Sequence, residues 1–313
     1  MSPQSEKRAL VLGCGGVAGA AWSIAALASL EQTLGWDARQ ADVLIGTSAG
    51  AVLAALLGAG VSVAQMVASQ RGEATDCIWD HDTAIGGALP PLPGLSLTAL
   101  PLLRKGLRGQ LPALTALVGA LPRGQADMTP FTALIDSVVP AGEWAPHANT
   151  WIMAVDADSG KRLALGRSDA PIMPLSTAVC ASYAVPGWCP PVTWQGQTLL
   201  DGGIVSPVSA DMLLGTDVTE AIVLAPMASS SPDQPRHPAA RIERRVRRYM
   251  TAIVDREVAS LQAAGIRVIR LEPGAEDLQA IGYNMMDPRR RRRVFDTAML
   301  TTEQACLRNL HRA

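Results

Sequence analysis

The sequence is short of charge. Only 18% of its 313 residues are charged, against about 25% in ordinary soluble domains. The shortage is concentrated in four runs without a charged side chain: 9–30, 43–70, 83–103 and 170–200. Each is as long as a membrane span, which needs about 20 apolar residues, yet each is interrupted. Gly13, Gly15 and Gly16 fall where a signal peptide needs an unbroken apolar stretch. Gly46, Gly50, Gly58 and Gly60 break the second run, and four prolines the third. Pro171, Pro174, Pro186, Pro190 and Pro191 exclude a single helix from the fourth. All four are expected to be buried or interfacial segments of a soluble fold.

Paired cysteines are missing as well. Cys14, Cys77, Cys180, Cys189 and Cys306 are odd in number and show no C-x-x-C spacing, which argues against a zinc site or a disulfide framework. A reducing cytoplasm is the expected compartment. A net charge of −1 argues against a globally basic nucleic-acid binder. Charge is nevertheless split along the chain: residues 1–235 hold 11 basic and 19 acidic side chains, residues 236–313 hold 16 and 9. The C-terminal quarter is therefore the candidate for an anionic partner, lipid headgroup or acidic protein.

Ala9–Leu12 reads as a buried strand, then a glycine turn and a helix from about Gly19 to Leu34. Asp42–Ile45 reads as a second strand, followed by a helix over Ala49–Leu57. Strand, tight turn and helix, twice over, is the pattern of a parallel sheet. A helix opens at Thr129-Pro130, and further strands are expected at Trp151–Val155, Arg162–Leu165, Val192–Trp194, Thr198–Leu200, Ala221–Leu224 and Val268–Leu271. Residues 83–127, rich in Pro, Leu and Gly around Arg104, Lys105 and Arg108, look like an insertion over one face: a lid, an interfacial contact or a plain helical hairpin. After a Ser/Pro loop at 229–238 comes a long helix whose apolar stripe is Ile242, Val246, Tyr249/Met250, Ile253 and Val258, with Arg244, Arg245, Arg247 and Arg248 opposite. The whole chain, 1–313, is expected as one domain with a core at about 8–225 and a basic helical part at about 239–313.

The strongest local signal is Gly46-Thr47-Ser48-Ala49-Gly50. G-x-S-x-G between a strand and a helix is a nucleophile elbow, which leaves the serine hydroxyl exposed at the positive end of the next helix. The bland alternative is a simple strand-to-helix turn. A serine nucleophile needs an oxyanion hole and a base. Backbone N–H groups of the turn Gly13-Cys14-Gly15-Gly16-Val17-Ala18-Gly19 are available for the first. Gly13-x-Gly15-x-x-Ala18 also fits a dinucleotide fingerprint, but the second strand ends in Gly46-Thr47 and not in the acid that would hold a ribose. For the base, none of His81, His147, His237 and His311 sits at a convincing strand end, leaving a Ser-Asp-His triad through His237 or His311 as an alternative. Asp201-Gly202-Gly203, straight after the strand Thr198–Leu200, offers an aspartate in reach of the serine or an ordinary turn.

Taken together, the glycine turn, the G-x-S-x-G, the D-G-G and the segment Ala181-Ser182-Tyr183-Ala184-Val185-Pro186-Gly187 ahead of Pro190-Pro191-Val192 resemble the patatin-like phospholipase family, from about Arg8 to Asp211. The resemblance implies an α/β fold: three layers, α/β/α, around a mostly parallel sheet, and an acyl hydrolase working on lipid or other acyl esters. It implies Ser48 as nucleophile, Asp201 as general base, and N–H groups around Gly15, Gly16 and Val17 as the oxyanion hole, with Gly13, Gly19, Gly46, Gly50, Gly202 and Gly203 supporting the motifs. The family pattern G-G-G-x-[RK]-G is altered here, with Cys14 for the first glycine and Ala18 for the cation. Loss of that cation weighs against lipid-phosphate recognition more than against ester cleavage, and leaves a non-catalytic acyl-binding module as the alternative. No cofactor is implied. No metal is expected, because Asp156 and Asp158 have no third ligand near them in sequence. Peripheral membrane contact is expected through the insertion and the basic C-terminal part, where Arg289–Arg293 is either a lipid-facing cluster or a solvated helix start. Trp79, beside His81, is a structural tryptophan or lines the mouth of the site.

Overall fold

A computed structural model describes residues 6–73, 89–92, 94, 96–111 and 113–310. Trp79, His81, Cys77 and His311 lie outside these residues.

Three of the four uncharged runs become the packed middle of the molecule. β1 (Arg8–Leu12) is buried at every position after Arg8, the composition required of an inner parallel strand covered on both faces. α1 (Gly16–Leu34) is buried around most of its circumference and closes on Gly35, whose left-handed φ of 58° lets its N–H reach the Glu31 carbonyl. β2 (Val43–Thr47) and α2 (Ala49–Gly58) follow, both buried throughout. α3 (Val63–Arg71) starts at a capping box between Ser62 and Gln65. The insertion contributes α4 (Leu100–Leu107) and α5 (Ala113–Val118), which pack on each other as a hairpin. Then come α6 (Thr129–Asp136), β3 (Thr150–Asp156), β4 (Arg162–Leu165), α7 (Leu175–Ser182), β5 (Val192–Trp194), β6 (Gln197–Asp201) and β7 (Glu220–Leu224). The chain ends with α8 (Pro238–Ala263), β8 (Arg267–Leu271), α9 (Ala275–Ile281) and α10 (Arg291–Leu310). Thr129 is the first residue of α6, and its N–H is accepted by Asp127 Oδ1 at 2.9 Å. Among the described residues no helix is long and apolar enough to cross a membrane.

The strands join one sheet along the path β5–β6–β3–β2–β1–β7–β8, with β4 also paired to β3. The five strands from β3 to β8 are mutually parallel, and β4, β5 and β6 make antiparallel pairs. Alternate residues of each inner strand feed two separate cores. Leu10, Leu12, Leu44 and Ile222 pack under α1, α2, α7 and α10, while Ala9, Val11, Ile45 and Val223 pack under α8. This is the three-layer arrangement that the resemblance implies.

Two registers fix the centre of the molecule. β2 runs along β3 as far as Thr47 opposite Met153. β4 pairs with residues 152–155 of β3, so β6, which pairs with 154–156, lies on the same edge as β2. It arrives from the opposite direction and puts Asp201 opposite Ala154. The ends of β2 and β6 therefore meet head to head.

α8 corrects the sequence reading. Ile242, Val246 and Tyr249, expected against the core, are 62%, 38% and 40% exposed. Arg244 and Arg247, expected in solvent, are buried. Period alone assigns the apolar stripe inward, but here the inward face is held by ions. Glu243 pairs with both Arg244 and Arg247, and Arg244 also pairs with Asp233. Of the expected stripe the later turns bury Ile253 and half-bury Val258, and Val254 and Leu261 are buried beside them.

The run Arg289–Arg293 is neither a free cluster nor merely a solvated start. Arg289 pairs with Asp287, Arg290 donates to the Ala280 carbonyl, Arg291 to Gln70 and Arg292 to the Arg71 carbonyl. These contacts tie the start of α10 to α9 and to the end of α3.

Candidate active site

Ser48 is the turn between β2 and α2, with φ 55° and ψ −118°. A non-glycine residue holds such a backbone only at a cost of about 1–3 kcal/mol, borne by surrounding structure. That support can be traced. The Ser48 N–H donates to Ser182 Oγ at 2.8 Å, and Ser182 Oγ donates to the Met153 carbonyl at 2.6 Å. Two residues further, the Ala184 carbonyl accepts the Asp201 N–H at 3.2 Å. One short segment at the end of α7 thus holds both the elbow and the aspartate.

Ser48 and Asp201 are 3% and 4% exposed, and the serine side chain lies close enough to the Asp201 carboxyl to pull its pKa down. Burial pushes the Asp201 pKa up to about 7, against the opposing pull of the Ser48 side chain and of a hydrogen bond from the Gly203 N–H. This bond, to Oδ1 at 2.6 Å, fixes the carboxylate as the cap of the turn Gly202–Ile204.

The glycine turn closes the third side. Gly50 packs on the carbonyls of Leu12 and Gly13, and Gly203 packs on the Cys14 side chain, so all three motifs touch. Gly46, one turn before Gly50, lies against Gly50 and Ala51, and Gly202 against Met153. Within the glycine turn the backbone donors are mostly used. Gly13 donates to Leu224, Cys14 to Pro207, Ala18 to Met285 and Gly19 to Gly15. The N–H groups of Gly15, Gly16 and Val17 have no acceptor among the described residues. These are the three expected to face an oxyanion, at the positive start of α1. Gly16 takes a left-handed φ of 58° with Met285 and Met286 packed against it, which leaves no room for a side chain.

Cys14 is inert. Burial, reinforced by the neighbouring Asp201, pushes its thiol pKa far up and keeps it neutral. Ala18 is fully buried and carries no charge to the site. The cation near the glycine turn comes instead from α8. Arg247, 1% exposed, donates to the carbonyls of Pro226 and Ala228, and the Pro226 ring packs on Gly15 and Gly19. It is a strut beneath the turn, and helical period had hidden it by assigning it to solvent.

The described histidines are placed elsewhere. His147 bonds Thr150 and the Ala41 carbonyl at the start of β2 and β3, the opposite end of the sheet. His237 caps α8 and stacks on Tyr283. Neither bonds Ser48 or Asp201. Cavities of about 590 Å³ between α9 and α10 and about 610 Å³ beside Trp144 and Trp151 also lie away from the pair.

The patatin-like phospholipase family profile matches residues 10–214, a span that contains the elbow, the aspartate and the glycine turn. The chain belongs to the patatin-like phospholipase family. Its α/β fold is that of the family, and membership places it among lipid acyl hydrolases in general. A solved structure similar to this patatin-like chain is VipD from Legionella pneumophila, at 13% identity and a TM-score of 0.47, covering 98% of this chain and 67% of VipD. No curated protein matches the chain.

Ser182 stands in the segment Ala181–Gly187, where no local pattern points to a role for it. Ser182→Ala would strand the Ser48 N–H in a buried site, at a cost of about 1–3 kcal/mol for the unsatisfied donor. The expected result is a 10- to 100-fold fall in kcat with KM for a short-chain ester nearly unchanged, of the size that slight misplacement of a reacting group produces. Steady-state kinetics on the folded variant checks it; an unchanged kcat would remove Ser182 from the positioning of Ser48.

Proposed function

We propose that the chain is a serine hydrolase that cleaves carboxylic esters of lipids with Ser48 and Asp201. The observation that carries this reading is a buried carboxylate of raised pKa, neighbour to a serine on a positive-φ elbow, beside three N–H groups that have no acceptor among the described residues. Asp201 takes the hydroxyl proton as Ser48 Oγ bonds to the ester carbonyl carbon. The N–H groups of Gly15, Gly16 and Val17 receive the negative oxygen of the tetrahedral intermediate. Asp201 returns the proton to the departing alcohol, leaving an acyl-serine. Water then gives a proton to Asp201 as its oxygen attacks the acyl carbon, and Ser48 is released with that proton as the acid leaves. Ala18 offers no cation to a phosphate, so the reading favours ester chemistry over dedicated headgroup recognition.

The insertion fits the same reading as an apolar wall. Ala99 and Leu102 form a small core with Ala157 and Leu200, the residue before Asp201, and Thr115 bonds the Ile204 carbonyl just beyond it. An acyl chain would run along this side of the site.

A fluorophosphonate probe tests the chemistry. The adduct is expected on Ser48 by peptide mass spectrometry, absent from Ser48→Ala and slowed at least 100-fold in Asp201→Asn, in line with loss of a general base. An unlabelled Ser48 in the native chain would sink the reading and favour a binding module.

A further inference from the structure

The reversed face of α8 has no role in the hydrolase so far. Its first half presents two adjacent rows to solvent: Arg241, Arg245 and Arg248, and beside them Ile242, Val246 and Tyr249. Both rows follow the i, i+4, i+7 spacing of one helix face. No carboxylate among the described residues lies within ion-pair distance of the three arginines. Glu243, the one acid in the first half of α8, is turned inward and neutralised by Arg244 and Arg247. Exposed carboxylates on this helix begin only at Asp255, which pairs with Arg270. The result is a surface of uncompensated positive charge lying against exposed hydrophobic side chains.

Its place in the fold matters as much as its chemistry. β7 and β8 are parallel, so α8 runs back between them and begins at the end of the sheet where the strands finish. That end carries the glycine turn and Ser48. The two regions are linked through the segment before α10. His237, at the start of α8, stacks on Tyr283, and the Met285 carbonyl accepts the Ala18 N–H inside the glycine turn.

We propose that the first half of α8 docks the protein on an anionic lipid bilayer, with the arginine row at the phosphates and Ile242, Val246 and Tyr249 at the headgroup–acyl boundary. Paired basic and apolar rows are what an interfacial helix needs. An arginine row alone would suit any polyanion; the apolar row beside it selects a bilayer over a nucleic acid. Docking in this way brings the end of the sheet that holds Ser48 to the source of its ester substrate. The inference rests on the acyl-hydrolase reading for its purpose but not for its test.

The test is flotation of Ser48→Ala protein, which cannot consume the lipid by the proposed chemistry, with vesicles of phosphatidylcholine alone or containing phosphatidylglycerol. Binding is expected only to the anionic vesicles and is lost in high salt. The triple variant Arg241→Gln, Arg245→Gln, Arg248→Gln should lower the partition coefficient roughly 100-fold, since each arginine near an anionic surface is worth about a fivefold factor. Ile242→Ser with Tyr249→Ser should also lower it while leaving the salt dependence in place. Both variants alter exposed side chains, and an unchanged thermal melt shows that the fold is intact. The proposal is overturned by equal binding to neutral vesicles, by binding to neither, or by wild-type binding of the arginine variant. It is also overturned if only Arg104→Gln, Arg108→Gln, Arg123→Gln in the insertion abolishes binding. Sedimentation velocity showing a dimer that the triple variant dissolves would assign the face to a second copy instead. Fluorophosphonate labelling of the native chain is read separately, so failure of docking and failure of the hydrolase reading are distinguishable.

Discussion

Asp201→Asn is expected to abolish turnover while making the folded protein more stable at pH 8. The activity side follows from the loss of the only base in reach of Ser48 among the described residues; removing a general base costs about 10²–10⁴-fold. On the proposed mechanism the native carboxyl must be ionised to take the serine proton, so kcat/KM should rise with pH through about 7, where burial has moved its pKa. The stability side has the opposite sign. The folded pKa of about 7 stands above the ordinary value of 3.8, so between those values the folded chain holds a proton that the unfolded chain has released. Stability from this group is complete below the ordinary pKa and is lost as pH rises through about 7. Above that, the ionised buried carboxylate costs up to about 4 kcal/mol, at 1.36 kcal/mol per pH unit. An asparagine avoids this cost. Denaturant titration should therefore give Asp201→Asn an advantage of about 2–4 kcal/mol at pH 8 and almost none at pH 4. A variant less stable than wild type at pH 8 would mean that the carboxylate is better solvated than its 4% exposure implies.

Gly50→Ala carries the second large effect. A methyl group at residue 50 would overlap the Leu12 carbonyl and stand 2.8 Å from the Gly13 oxygen. Both obstacles are backbone, at the junction of β1 with the glycine turn, so no side chain can turn aside to make room. The expected cost is about 3–5 kcal/mol, at the top of the range for overpacking and large enough to name its mechanism. It should appear as a lower denaturation midpoint together with lost fluorophosphonate labelling, because relieving the clash moves α2 and the elbow away from the glycine turn. A wild-type midpoint would refute the close approach.

Much of this was legible in the sequence where neighbours in the chain decide the outcome. β1, β2 and the helices after them follow from apolar runs cut by glycine turns, and the expected strand bounds differ from the observed ones by a residue or two. Ser48 and the Gly15–Val17 turn are local motifs and could be read as such. Asp201 could be joined to Ser48 only through the family resemblance, because their meeting depends on β6 pairing with β3 beyond the end of β2. Ser182 is illegible for the same reason: its two partners, the Ser48 N–H and the Met153 carbonyl, are remote from it in sequence. α8 was misread because period counts hydrophobicity, whereas Glu243, Arg244 and Arg247 compensate one another and can be buried as a set. No single-residue pattern announces such a set.

The head-to-head meeting of β2 and β6 makes β3 a ruler. Thr47, the residue before Ser48, is opposite Met153 and the aspartate is opposite Ala154, so a single peptide unit of about 3.8 Å sets the spacing of the two strand ends. A slip of either strand by one residue would turn its side chains to the other face of the sheet and part the pair. Chemistry in this chain is thus a property of strand register. Since Ser48 and Asp201 stand 153 positions apart in the chain, the site comes into being only when both β2 and β6 have paired with β3.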